Sequence, residues 1–223
     1  MRSCLRSVFA VFASALLLVP FSSAFQSPLS EQAVREAYFL GQRHDGTYGH
    51  LLGKYTKFLP VPKSGPHISS IAFNTPFLQM VAYADKYFGN YSAQQAQIDY
   101  RKKGEETVEV LVEIQLTESY GRMMTASTNT ASKSPSALVP RPSDFWKDFE
   151  VRIYEGDQEL IPADSHGRAN WRCGRYGGNC ILTGATLQYD FAASDFNSDT
   201  ARIVVTPPEG DPVSVDFYLP SLQ

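Results

Sequence analysis

Residues 107–117, TVEVLVEIQLT, decide how this chain is read. Val108, Val110, Val112, Ile114 and Leu116 point one way, while Thr107, Glu109, Glu113, Gln115 and Thr117 point the other, a period of two. This predicts a half-buried strand. Glu109 and Glu113 then lie about 13 Å apart on its outward side, too far for a glycosidase carboxylate pair, and are expected to be a solvated face. Further strands are predicted at 149–155, 159–162, 185–191, 202–206 and 213–219, the last two forming a hairpin around PPEGDP at 207–212. A short strand at 68–73 brings the number to seven. Because helices do not alternate with strands, the sheets should be antiparallel. Between them, Arg122 to Ser143 is rich in Ser, Thr, Ala and Pro, and is expected to be a long flexible loop.

Upstream of residue 105 the period is helical. Ser30 reads as an N-cap for a helix over about 31–42, Leu29 as its hydrophobic staple, and a second, weaker pattern runs from Tyr48 to Phe58. Thr75-Pro76 opens the clearest helix, with Phe77, Met80, Val81, Ala84, Tyr87 and Phe88 on one face and Gly89 as its stop. A fourth is expected over 92–102. The class is therefore α+β, a helical segment (25–105) packed on or beside a mainly antiparallel, immunoglobulin-like β-sandwich (106–223).

The chain has 223 residues, and its 43% hydrophobic content excludes wholesale disorder. With 20 basic and 23 acidic residues it lacks the positive excess of a nucleic-acid binder. Arg2 and Arg6, an apolar run from Val8 to Phe21 and the small residues Ser22-Ser23-Ala24 read as a cleaved signal peptide over 1–24. The run is shorter than the ~20 residues of a membrane span, so a secreted or periplasmic product with no stable span is expected. Cleavage leaves 18 basic and 23 acidic residues, a net charge of −5, and two cysteines, Cys173 and Cys180. In an oxidising compartment these should bridge. A metal site joining them to His166 is the rival reading; it lacks the close pairing of structural zinc ligands.

No G-x-S-x-G, H-E-x-x-H, phosphate loop or dinucleotide fingerprint is present. His44, Asp45 and His50 sit close in sequence, as do Asp164, Ser165 and His166, the latter read as loop neighbours unable to form a relay. Asp195, Asn197 and Asp199 open like a calcium loop, but Thr200 and Thr206 occupy its glycine and closing-glutamate positions. No metal or cofactor is expected. Asn90-Tyr91-Ser92 is an asparagine glycosylation sequon. Seven of the twelve tyrosines fall between Tyr38 and Tyr100, a set suited either to stacking on a ligand or to filling space between helices and sheet.

The candidate binding site is a stapled loop over about 166–180. Arg168, Trp171, Arg172, Arg175 and Tyr176 surround the cysteines there, five residues of hot-spot type on an otherwise acidic chain. Guanidinium groups suit carboxylate or phosphate partners such as envelope polymers. The closing segment, YDFAASDFNSDTARIVVTPPEGDPVSVDFYLPSL (189–222), resembles immunoglobulin-like modules found in exported bacterial proteins. The resemblance implies fold and export and transfers no active site. The functional expectation is an exported, non-enzymatic binding or structural module of the cell envelope or exterior. An envelope hydrolase or metal-dependent enzyme is the alternative.

Overall fold

The computed structural model describes residues 25–43, 45–125, 138–174 and 180–222. Four helices form a layer at the N-terminal end: α1 (Glu31–Gly41), α2 (Thr47–Tyr55), α3 (Pro76–Lys86) and α4 (Ala93–Lys103). Their starts are the ones the sequence signals. Ser30 accepts from the Ala33 N–H at 3.1 Å, Thr75 from Leu78 and Ser92 from Gln95, so one orphan donor in the first turn of α1, α3 and α4 has a side-chain oxygen, while α2 starts at Gly46 without such a cap. Leu29, Ala33, Val34 and Ala37 of the α1 region pack on Phe77, Met80 and Val81 of α3. The two helices approach so closely that a Cβ on Gly41 would lie 2.3 Å from the Val81 carbonyl oxygen. The chain before α1 is tied down by Glu106, which accepts from the Leu29 N–H at 2.8 Å and from the Ser27 and Tyr100 hydroxyls.

Eleven strands follow in the described residues: β1 (Thr56–Phe58), β2 (His67–Asn74), β3 (Thr107–Gln115), β4 (Met123–Thr125), β5 (Leu138–Pro140), β6 (Glu150–Glu155), β7 (Gln158–Leu160), β8 (Asp164–Arg172), β9 (Ile181–Ala192), β10 (Thr200–Thr206) and β11 (Val213–Tyr218). One sheet runs β1-β2-β3-β9-β8 and the other β11-β10-β6-β7, while β4 and β5 pair separately. Every pairing is antiparallel. The two large sheets face each other across one core, in which Phe73 of β2 meets Phe217 of β11 at 5.6 Å between ring centroids. Val108, Val110, Val112 and Ile114 are buried as the alternation of β3 requires. The α+β class and the helical segment beside a sandwich are as expected. The strand order does not establish the immunoglobulin-like topology that was expected of the sandwich.

Four strands were not legible in the sequence: β1, β4, β5 and β8. Residues 123–125 and 138–140 of the expected 122–143 loop pair as a short ladder; its middle, 126–137, lies outside the described residues, as does the signal peptide expected over 1–24. The larger correction concerns β8. Residues 164–172, read as loop, form a nine-residue strand paired with β9 along its whole length. Its inward positions, Ser165, Gly167 and Ala169, carry no apolar alternation because Trp146 fills that space. A Cβ on Gly167 would meet Trp146 ring carbons at 2.5 Å. The bulk that a strand normally supplies from its own side chains comes here from a neighbouring 3₁₀ turn, Phe145–Asp148.

Candidate functional site: the outer face of the five-stranded sheet

The core side of the five-stranded sheet is apolar, and its outer side is polar by the same alternation. Register fixes the rows. Asn74, Glu109, Asp190 and Asp164 succeed one another across β2, β3, β9 and β8; Leu111, Gln188 and His166 form the next row, and Glu113, Thr186 and Arg168 the third. Glu109 and Glu113 are half-buried rather than fully solvated, because flanking strands and helices stand over them.

In the third row Glu113 is held by neutral donors. The Thr186 hydroxyl donates to Oε1 at 2.8 Å, and the Asn170 amide donates to Oε2 at 3.2 Å and to Thr186 Oγ1 at 3.1 Å. Glu113 and Asn170 of this network line one end of an open groove of about 1250 Å³, which lies among the connector after β1, the loop after β3 and the tip of the β8–β9 hairpin. Lys63, Arg122 and Arg172 line it, together with Glu118.

A bulge between Asn170 and Trp171 shifts the register at this tip, so that Trp171 stands opposite Leu182 and Arg172 opposite Ile181. Trp171 is 52% exposed, and Arg168 and Arg172 are exposed as well. About half of the Trp171 ring is therefore open to solvent rather than folded onto the sandwich. Cys173 and Cys180 form the expected disulfide just beyond the strand ends, which leaves no thiolate for a metal site with His166. Arg175 and Tyr176 lie outside the described residues. Thus Arg168, Trp171 and Arg172 belong to an ordered edge strand rather than to a loop.

In the first row burial, and then the neighbouring Asp190 carboxylate, push the Glu109 carboxyl above the ordinary carboxylate range, against the smaller effects of Lys103, Asn74 and His166. A raised folded pKa contributes stability below the ordinary carboxylate range that is lost as pH rises through the raised value. Glu109→Gln removes that loss. The variant should melt about 1–3 °C above wild type at pH 7 in metal-free buffer, and the gap should close near pH 4. Paired melting curves at the two pH values check this.

The other sequence candidates are placed elsewhere. Asp45 accepts from the Thr47 N–H at 2.9 Å, a bond that helps hold its carboxyl below the usual range. His50 is exposed on α2, and His44 lies outside the described residues. The stretch 195–199 is a polar turn whose Asn197 and Ser198 amides donate to Glu155. Asn90 is exposed. Of the seven tyrosines, Tyr55 is core and Tyr38, Tyr48, Tyr91 and Tyr100 are half-buried. Tyr83 and Tyr87, about 40% exposed, stack with Tyr91 between α3 and α4. That set serves mainly as filling. What the sequence missed is the cross-strand company of Asp164 and His166: Asp190 joins them only through the β8–β9 register. Set against known protein families and curated proteins, the chain matches no family model and no curated protein.

Proposed function

We propose that this chain is an exported, non-enzymatic binding module of the cell envelope or exterior, with an immunoglobulin-like sandwich as its scaffold and a leader over 1–24 removed on export. Its ligand is an extended anionic polymer, carrying carboxylates or phosphates, that lies along the groove and over the tip of β8. The observation that supports the reading most is the β8 end clamped by a disulfide, where Trp171 is 52% exposed and the next residue, Arg172, lines the groove. A clamped strand end loses little conformational entropy on binding, with the guanidinium suited to bidentate recognition in the groove and the indole to stacking at the sheet edge. Lys63, Arg122 and Arg172 place three cations along the groove against the carboxylates of Glu113 and Glu118, in a chain whose overall charge is −3. The disulfide is compatible with an oxidising compartment.

Retention on immobilised polygalacturonate and on immobilised polyphosphate separates the two anion chemistries. Wild type should be retained on at least one, and released at about 1 M salt, where screening acts within about 3 Å. The double variant Trp171→Ala/Arg172→Ala should bind at least tenfold more weakly, a loss of about 1.4 kcal/mol or more. Equal retention of variant and wild type, or no retention of either, overturns the proposal. The second reading, a metal-dependent enzyme or envelope hydrolase, draws on His166 beside two carboxylates; activity in a hydrolase panel that His166→Ala abolishes would favour it.

A further inference from the structure

We propose that Asp164, His166 and Asp190 form a binding site for a divalent first-row transition-metal cation, zinc above all, on the outer face of the five-stranded sheet. One carboxylate oxygen from each aspartate and one imidazole nitrogen lie within 4.8 Å of one another. The ladder holds their backbones in place: Asp164 is directly opposite Asp190, and His166, two residues further along β8, shares their face opposite Gln188. Ligands bound to one zinc ion stand about 2.0–2.2 Å from it, so their donor atoms need to be roughly 3–3.5 Å apart. Asp164 and His166 are exposed, and rotation of their side chains closes the remaining gap without moving a strand.

The present contacts do not satisfy these groups among themselves. His166 Nδ1 stands 3.8 Å from Asp164 Oδ2, beyond hydrogen-bonding distance, Asp164 Oδ1 accepts from the Ser165 N–H at 2.8 Å, and Asp190 accepts one bond from the Gln188 amide at 3.0 Å. Two carboxylates face each other directly across the ladder, and Glu109 is next in the same row. Like charges in directly opposite positions oppose pairing, and a divalent cation between them reverses the sign of that interaction. On the helical side, Lys86 lines a pocket with Asn74 and Glu109, and Lys103 donates to Gln79 Oε1 at 2.7 Å and acts on Glu109. Two oxygens and an imidazole nitrogen favour a borderline cation over calcium, which prefers six or more oxygens. Three protein ligands on an open surface leave further positions to water. Asp190 lies about 13 Å from Thr186, four residues along β9, and the groove begins beyond that point, so the two can be tested apart.

The test is calorimetric titration of chelator-treated full chain with zinc chloride and with calcium chloride. Wild type should bind one zinc ion saturably, with calcium at least tenfold weaker. His166→Ala and Asp190→Asn should each weaken zinc binding at least tenfold and abolish the zinc-induced rise in Tm, while His50→Ala should bind as wild type. All of these positions are at least partly exposed, so the variants are expected to fold, and their metal-free melting curves verify it. Absence of saturable zinc binding, binding unchanged in both ladder variants, loss in His50→Ala, or calcium binding as tight as zinc overturns the proposal.

Discussion

Phe73→Ala should lower stability by about 3–5 kcal/mol, the largest loss expected of any single truncation in this chain. Phe73 lies on β2 with no exposed surface. Its ring meets Phe25 at 6.3 Å, Phe196 at 5.1 Å and Phe217 at 5.6 Å between centroids. One side chain thus joins the start of the described chain, the turn after β9 and the far sheet. Removing it forfeits the transfer free energy of a buried phenyl ring and opens a cavity that three separate elements would have to move together to close. At about 2–4 °C per kcal/mol for a domain of this size, Tm should fall by roughly 10 °C. Thermal and denaturant unfolding check it, and Phe39→Ala, a truncation of a 53% exposed ring on α1, should stay near wild type.

Gly184→Ala should cost about 3 kcal/mol for the opposite reason, an added atom with nowhere to go. Gly184 sits in β9 between Gln115 of β3 and Asn170 of β8. A Cβ there would lie 1.9 Å from the Ile114 carbonyl oxygen and 3.0 Å from its carbon. The obstacle is backbone at the last pair of the β3–β9 ladder, which cannot rotate aside as a long side chain does, so β3 and β9 must separate there. Such a separation also disturbs the Glu113, Thr186 and Asn170 network one turn of the pleat away, so binding at the groove should weaken with stability. Gly49→Ala supplies the contrast. Nothing lies within 4 Å of a Cβ on Gly49 in the first turn of α2, and helix propensity alone should raise stability by about 0.5 kcal/mol. Unfolding curves of both variants, opposite in sign, test whether close approach rather than glycine itself sets the cost.

Much of the candidate site could be named in advance, though not its form. Arg168, Trp171 and Arg172 were identifiable by residue type beside two cysteines that the structure joins. That they stand on an edge strand depends on pairing with β9 and on Trp146 occupying the space over Gly167. No window of sequence around 164–172 contains that tryptophan. Likewise Asp164 and His166 looked like loop neighbours with no chemistry. Asp190 is in a different strand, and only antiparallel register sets it opposite them.

The elements whose instructions are local were therefore decided by the sequence itself. These are the alternation of β3, the Ser30, Thr75 and Ser92 caps, the proline at the first position of α3, and the hairpin of β10 and β11. Each rests on atoms within a few residues, where capping bonds and period-two burial act without reference to the rest of the chain. The tertiary structure alone decided the identity of β8, the groove at its tip and the first-row carboxylates and imidazole. Those features arise where side chains from distant segments fill or vacate the same volume, and a strand with small inward residues becomes a strand only when something else supplies the bulk.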